Sequence, residues 1–362
     1  MLDGQVARRD PELGDVLDQF VCVRVVEVND LDLATFQFDT GLTWAVLFMN
    51  ADKTVYGRYG SRSGLDGLAD ATLQGFRKAA LAALEIHKAY PGNKASLAGK
   101  AGAPPRFPTP RGYPSLKEYP KTIDPAAGER GRDNPTCIHC HQIQAAEYRM
   151  IRGSKEPIPD RLLWAYPMPS ALGLELDAQE RARIRSVAAG SPAAKAGFRQ
   201  GDDLLSLEGQ PLISVADIQW ILDRAPEDSP LRAVVRRDGA PLALDLAIPP
   251  GFRRKGDFSW RAATSDTFRP DMTGESLSLE EREKRNMGDA DIAIRITYSG
   301  IRLPGADVRK DDILVEVDGR RTGLPSFSEF LAYVAQKKAS GETLALTLVR
   351  DGKELRRQVT VR

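Results

Sequence analysis

An internal repeat in the C-terminal half constrains the fold of this chain more than any other feature. Its first copy contains SPAAKAGFRQGDDLL at 191–205, followed by LEGQPL and a predicted helix over 215–224. The second copy contains LPGADVRKDDIL at 303–314, followed by VEVDGRR and a predicted helix around 327–336. Each copy ends in a charged strand pair, VVRRDGAPLALDLAI or LVRDGKELRRQVTVR. A unit that recurs within one chain predicts two modules of one fold.

Both copies resemble bacterial PDZ domains, the first more closely, because Lys310-Asp311-Asp312 replaces the usual Gly-Asp in the second. In that fold a short Gly-containing loop presents N–H groups to a carboxylate, and the next strand pairs with an extended ligand. The resemblance therefore implies that the first repeat binds a protein or peptide partner. Its expected groove residues are Ala171, Leu172, Gly173, Leu174, Val215, Ile218 and Leu222. The alternative is that these residues only close a small β-rich core.

The second repeat shows no comparable loop. Its stretch Asp271–Met287 is charged and helix-like, which predicts a groove that is covered or absent.

The strongest local motif is Cys137-Ile138-His139-Cys140-His141, because Cys-x-x-Cys-His is the attachment motif of c-type haem. Two thiols on one helical turn, Cys137 and Cys140, bind the vinyl groups, and His141 supplies an axial nitrogen to the iron. Three alternatives stay open. The two cysteines form a dithiol redox pair, they bind copper or zinc together with His139 or His141, or they are packed thiols without chemistry.

The N-terminal region has an alternating pattern of predicted elements. They are a helix over 10–20, a strand over 20–28, a helix over 31–38, strands over 43–49 and 54–59, and an amphipathic helix over 65–84. This order, with the phrases FVCVRVVEVND and LTWAVLFMNADKTVYGRYG, resembles the later two-thirds of a thioredoxin-like domain. In that domain the redox motif would precede the elements seen here. Cys22 is expected to be a small buried hydrophobe, with a catalytic redox role as the weaker alternative.

These patterns predict a multidomain α/β plus β-rich protein. The expected segments are an incomplete thioredoxin-like domain (1–90), a Pro/Gly-rich linker (91–135), the helical CIHCH segment (136–164) and two PDZ-like domains (165–250 and 257–362). The combination resembles a family of bacterial thioredoxin-like/PDZ proteins, some of them selenoproteins. It implies an envelope redox or electron-transfer protein with haem c. The alternatives are a non-catalytic PDZ scaffold and a thiol-disulfide oxidoreductase.

Composition and the first residues limit the other possibilities. A balance of 51 basic and 50 acidic residues argues against nucleic acid, and no apolar run is long enough for a membrane helix. No Gly-x-Ser-x-Gly elbow occurs, so a serine protease is not expected. Met1 leads directly into charged sequence, which taken literally predicts a cytoplasmic protein. A periplasmic location is expected if the start was misassigned, for example after a selenocysteine codon read as a stop.

Overall fold

The computed structural model describes residues 10–25, 27–64, 70–119, 138–300 and 306–361. Their secondary structure combines short helices with antiparallel strands.

The strands are β1 (Val46–Met49), β2 (Val55–Tyr59), β3 (Leu174–Leu176), β4 (Ile184–Val187), β5 (Asp203–Leu207), β6 (Gln210–Pro211), β7 (Leu231–Arg237), β8 (Ala240–Leu246), β9 (Met272–Ser276), β10 (Ile294–Ser299), β11 (Ile313–Val317), β12 (Thr343–Arg350) and β13 (Lys353–Thr360). The helices are α1 (Gly14–Leu17), α2 (Leu73–Lys88), α3 (Lys94–Leu97), α4 (Cys140–Gly153), α5 (Asp160–Leu163), α6 (Pro192–Lys195), α7 (Val215–Arg224), α8 (Ala262–Thr267), α9 (Leu279–Glu283) and α10 (Phe327–Lys337).

The chain divides into two compact units, and each contains one copy of the repeat. The first unit joins residues 1–143 to 164–256, and the second joins 144–163 to 257–362. The N-terminal region and the first repeat therefore share one unit, whereas the sequence had suggested separate domains for them. Among the described helices, none is long and apolar enough to cross a membrane.

The two repeats share the order of their five main strands, although α6 lies between β4 and β5 of the first and α9 lies between β9 and β10 of the second. In the first, β5, β7 and β8 are neighbours in one sheet, β3 pairs with β4, and an isolated bridge joins Arg183 to Asp203. In the second, β9 to β13 form one five-stranded antiparallel sheet in sequential order. Helix α7 connects β5 to β7 through β6, and α10 connects β11 to β12. The predicted internal repeat is therefore present as a repeated topology.

In each repeat a buried aspartate pairs in the same way with the arginine that ends β7 or β12. Asp202 accepts hydrogen bonds from Arg237 Nε at 2.8 Å and Nη2 at 2.7 Å. Asp312 accepts the same pair from Arg350, at 2.7 and 2.8 Å. Both carboxylates are almost fully buried, so this bidentate pairing satisfies charges that would be costly to leave alone.

The unusual Lys-Asp-Asp sequence of the second repeat adopts the conformation of the usual Gly-Asp. Gly201 has φ +89° and Asp311 has φ +70°, so both lie in the left-handed region. The Gly201 amide donates to Ile184 O, and the Asp311 amide donates to Ile296 O, both at 2.8 Å. Because Asp tolerates this region better than most non-glycine residues, the turn survives the exchange.

Two predicted elements of the N-terminal region are wrong. The described residues of 20–28 form no strand, although their β-branched composition favours one, because no described strand pairs with them. Turns replace the predicted helix over 31–38, since the Asp32 carboxylate accepts from Ala34 N at 3.0 Å and Thr35 Oγ1 at 2.6 Å. Such local bonds compete with helix formation.

The remaining elements of this region form a hairpin and a helix. Strands β1 and β2 pair antiparallel, close to the predicted strands over 43–49 and 54–59. Helix α2 begins at Leu73, where the Thr72 hydroxyl accepts from Gly75 N at 3.0 Å, and the predicted start at 65–69 lies outside the described residues. These elements do not amount to a thioredoxin fold in the described part of the chain.

Residues 91–119 of the predicted linker are described, and they are folded. They contain α3 and three short 3₁₀ turns, and Leu97, Lys100 and Leu116 are buried. The many prolines and glycines of this stretch predicted a linker, but these three side chains pack into the first unit. In the second unit, Asp271–Met287 contains β9 followed by α9, where a helix-like stretch was expected.

Candidate peptide-binding site

Strand β3 offers a free edge in the first repeat. It pairs with β4 alone in a two-stranded sheet among the described strands. Gly173 O accepts from Ala188 N at 2.9 Å, and Leu174 lies opposite Val187. In this antiparallel register Leu174 is a non-hydrogen-bonded pair with Val187, so its N–H and C=O point away from β4. An extended peptide can therefore pair with this edge.

A tight loop precedes this edge and depends on one glycine. The 3₁₀ turn Pro169–Leu172 ends at Gly173, whose φ of +90° lies in the left-handed region. A Cβ at this position would also come within 2.3 Å of the Ser191 side chain. Glycine is thus required both by the backbone conformation and by the close approach of Ser191.

The predicted groove residues separate into lining and core positions. Leu174 and Val215 line a cavity beside β3. Leu174 also belongs to the hydrophobic core of the repeat, which contains the other predicted apolar side chains: Ala171, Leu172, Ile218 and Leu222. Val215 stands at the start of α7, which Ser214 caps by accepting from Ala216 N at 3.1 Å.

The cavity has a volume of about 200 Å³, and both the repeat and the N-terminal region form its walls. The lining residues are Ser63, Asp70, Met168, Pro169, Ser170, Leu174, Glu175, Leu176, Ala178, Arg185 and Val215. The lining combines apolar side chains, among them Met168, Leu174 and Val215, with the charged side chains of Asp70, Glu175 and Arg185.

The N-terminal wall is fixed by hydrogen bonds. Asp70 Oδ2 accepts from Ser63 N at 2.6 Å and from Ser63 Oγ at 2.7 Å. Two residues further on, Thr72 Oγ1 donates to Ala178 O at 2.9 Å, beyond the end of β3. Lys78 of α2 forms an ion pair of 2.5 Å with Glu180. The N-terminal region is therefore attached along the β3–β4 connection.

A buried charge cluster attaches the same region to helix α7. Asp217 and Lys100 are each 1% exposed, and their carboxylate and ammonium groups are 3.0 Å apart. Asp217 also accepts from the backbone amides of Arg58 and Ile213, both at 3.1 Å. Burial lowers the pKa of Lys100, and the Asp217 carboxylate opposes that effect. Gly57 allows this approach, because a Cβ there would lie 2.4 Å from the Ile213 side chain.

Trp220 completes this contact and was missed by sequence reasoning. The Arg58 guanidinium lies 3.5 Å from its ring centroid, and the Arg224 guanidinium lies 3.2 Å from it. The indole Nε1 donates to Gly99 O at 2.9 Å. Trp220 lies outside the helix face formed by Val215, Ile218 and Leu222. This position was the available sequence signal that α7 packs on two sides.

The second repeat differs at the position of the loop glycine. Asp271 O accepts from Gly300 N at 2.7 Å, and Met272 lies opposite Ser299, which reproduces the Gly173 register. The second repeat thus has the loop that sequence reasoning did not find, with Asp271 in place of Gly173. A carboxylate at this point repels a second carboxylate, so this loop is unsuited to a peptide C-terminus.

The CIHCH motif is described only in part, because Cys137 lies outside the described residues. Cys140 begins helix α4, and burial raises the pKa of its thiol to about 11. The rings of His139 and His141 are stacked with centroids 5.9 Å apart. Burial, and then the neighbouring His141, lower the pKa of His139. Within the described ranges, no three His, Cys, Asp or Glu side chains form a group suited to a metal ion.

Cys22 was expected to be a buried strand residue, and the structure shows an exposed free thiol in irregular backbone. The reason is the missing strand over 20–28, which leaves Val21 at 95% and Val23 at 80% exposure.

Comparison with known proteins identifies one domain in the chain. A family model described as "PDZ domain" matches residues 183–237. The periplasmic pH-dependent serine endoprotease DegQ of Escherichia coli K12 is 26% identical over 185 residues, which are 51% of this chain and 37% of DegQ. A putative zinc metalloprotease of Brucella suis is 42% identical over 66 residues, 18% of this chain and 17% of that protein.

Solved structures show low overall similarity to this chain. The HtrA3 PDZ domain bound to a phage-derived ligand (FGRWV) has 29% identity and a TM-score of 0.17, and the match covers 18% of this chain and 56% of that chain. The chain spans just over a third of the length of DegQ. None of these matches supports the predicted thioredoxin-like domain or haem segment. The chain contains a PDZ domain, the module that binds peptides, within its first repeat.

Proposed function

We propose that this protein binds the C-terminal segments of partner proteins through the groove of its first repeat. The observation that carries the proposal is the free β3 edge, which follows the Gly173 loop and lines a cavity of about 200 Å³. A peptide paired with this edge would place its carboxylate at the loop, because that loop immediately precedes β3. Its chain would then run antiparallel to β3, from beside Ala178 to the Gly173 loop.

A pair of serine variants tests this proposal. Ser170 is exposed and lines the cavity, whereas Ser229 is exposed and does not line it. Ser170→Trp should fill the cavity and weaken binding of a fluorescein-labelled heptapeptide ending in Val by at least about tenfold, the loss of one good apolar contact. Ser229→Trp should leave binding unchanged. Equal binding by both variants in fluorescence anisotropy would contradict the proposed groove.

The cell envelope is the proposed location. DegQ is named as a periplasmic protein, and the alignment to it covers 51% of this chain. An envelope protein with a peptide groove would meet the exposed termini of other envelope proteins. Fractionation of the native organism, followed by detection with an antibody against the full chain, checks this: recovery in the cytoplasmic fraction alone would refute it.

Covalent haem at Cys137, Cys140 and His141 stays a second proposal for this chain. The feature that supports haem attachment is that Cys140 and His141 both lie in the first turn of α4. Burial raises the pKa of the Cys140 thiol to about 11, so the free thiol is protonated at neutral pH. If haem binds here, the two cysteines anchor it and His141 offers an axial nitrogen.

An absorption spectrum of the denatured protein tests the haem. Covalent haem keeps its visible absorption after denaturation, and Cys140→Ala should weaken its retention. A colourless protein from a host that matures c-type cytochromes would exclude haem and leave the peptide-binding proposal unaffected.

A further inference from the structure

The cavity beside β3 has one wall that is not part of the repeat, and that wall carries a negative charge. Asp70 belongs to the N-terminal region, and both Asp70 and Ser63 line the cavity. The two hydrogen bonds from Ser63 to Asp70 Oδ2 fix the carboxylate in that position. The charge is therefore a built part of the peptide site.

The position of Asp70 along the groove follows from its neighbours. Thr72, two residues later, donates to Ala178 O at 2.9 Å, so this wall meets the repeat beyond the C-terminal end of β3. A bound peptide runs antiparallel to β3 with its carboxylate at the Gly173 loop. Paired strands advance by the same distance, about 3.3 Å per residue. If the last peptide residue lies beside Leu174, the residues two to four positions before it lie beside the stretch from Leu176 to Ala178.

The other charges at the cavity do not cancel Asp70. Glu175 and Arg185 both line it and lie 3.7 Å apart as an exposed ion pair, so they neutralise each other. The remaining lining residues are apolar or neutral. The net charge on the cavity wall is therefore negative at the Ala178 end.

We infer that Asp70 is a specificity-determining residue, which selects peptide C-termini with a basic side chain two to four residues before the end. This inference rests on the proposed function of the same groove. A lysine or arginine there gains an attractive contact with the Asp70 carboxylate, and a glutamate or aspartate is repelled. The selected class of ligand is thus a peptide C-terminus with a basic side chain two to four residues before its end.

The experiment uses the full chain and fluorescein-labelled heptapeptides that end in Val. The residues two, three and four positions before this Val are Lys in one peptide, Ala in the second and Glu in the third. We expect the Lys peptide to bind about tenfold tighter than the Glu peptide at low salt, with the difference shrinking as salt is raised. The Ala peptide should bind with intermediate affinity.

Asp70→Asn tests the assignment, because the amide keeps an oxygen that accepts from Ser63 while the charge is lost. The Lys-to-Glu affinity ratio should fall below about threefold in this variant. Asp245→Asn is the matched control: it removes one exposed carboxylate on β8, outside the cavity, and should leave the ratio unchanged. If Asp70→Asn melts at a lower temperature, Asp70→Ser provides a second uncharged side chain that should give the same low ratio.

The outcomes separate the two proposals. An unchanged ratio in folded Asp70→Asn, or equal binding of all three peptides to the wild type, overturns the role of Asp70 and leaves the groove in place. Absence of binding by every peptide overturns the proposed function, and the role of Asp70 with it.

Discussion

The two repeats share one framework and differ where a ligand would bind. Asp202 with Arg237 and Asp312 with Arg350 make equivalent bidentate contacts. At the loop before the edge strand, however, the first repeat has glycine with φ +90° and the second has Asp271. The buried contacts that hold the sheet are kept, whereas the loop is free to change. We therefore expect the proposed peptide binding to depend on the first repeat's loop and not on the shared fold alone.

The helices beside the two grooves are also covered differently. The N-terminal region packs on helix α7 through the buried ion pair between Lys100 and Asp217. Helix α10 is contacted through amide hydrogen bonds: Gln336 Nε2 donates to Ile158 O at 3.0 Å and to the Asp160 carboxylate at 2.8 Å. The contact on α7 therefore depends on a buried ion pair, whereas the contact on α10 depends on hydrogen bonds from Gln336 to the start of α5.

The largest expected loss of stability follows from removing the buried ion pair at helix α7. Asp217→Ala leaves Lys100 buried without its counter-charge and should cost about 3–5 kcal/mol of unfolding free energy. The comparison variant is Glu329→Ala, which changes the residue that likewise follows an N-cap serine by three positions in α10. Glu329 is only half-buried, so we expect a loss below about 1 kcal/mol. Urea unfolding measures both, and similar losses would refute the proposed asymmetry.

The shared framework should respond equally in both repeats. Asp202→Ala and Asp312→Ala each leave an arginine without its bidentate partner and should each cost about 2–4 kcal/mol. Hydrogen exchange followed by mass spectrometry measures the loss separately over β7–β8 and β12–β13. A loss in one repeat more than twice that in the other would show that the two contacts are not equivalent.

Acid should weaken the first repeat through Asp202. Burial raises the pKa of Asp202, but hydrogen bonds from Arg237 and the Arg199 amide outweigh burial, and the folded-state pKa lies below the ordinary value. This contribution to stability is present above the unfolded pKa of about 4 and is lost as pH falls through the folded-state pKa. The melting temperature of the wild type should therefore drop more steeply below pH 4 than that of Asp202→Asn. Parallel profiles would exclude this role.

The smallest expected effects concern the turn before each buried aspartate. Asp311→Gly relieves a left-handed conformation in a non-glycine residue and should stabilise the second repeat by about 0.5 kcal/mol. Gly201→Asp introduces the same strain into the first repeat and should cost about 1 kcal/mol. Thermal unfolding measures both changes, and a shift of the same sign in the two variants would contradict the equivalence of the turns.

Sequence reasoning succeeded where a pattern was local and repeated. The strand pairs of both repeats, helix α7 and helix α10 follow directly from apolar periodicity and Asp-Gly turns. It failed over 20–28, because β-branched residues give a preference for extended structure but a strand forms only against a partner. It also missed Asp70 and Lys100, which lie 145 and 115 residues before Val215 in the chain. Nothing local in their sequence indicates that they reach the groove or its helix.

The sequence by itself determined the repeat, the Gly173 loop and the positions of α7 and α10, since these depend on turn residues and on the spacing of apolar side chains. Tertiary structure decided that the N-terminal region joins the first repeat as one unit. It also decided that Asp70 lines the groove and that Trp220 packs against the N-terminal region. Those contacts bring together residues that are distant in the chain. Their energies come from burial and charge pairing, which exist only after the chain has folded.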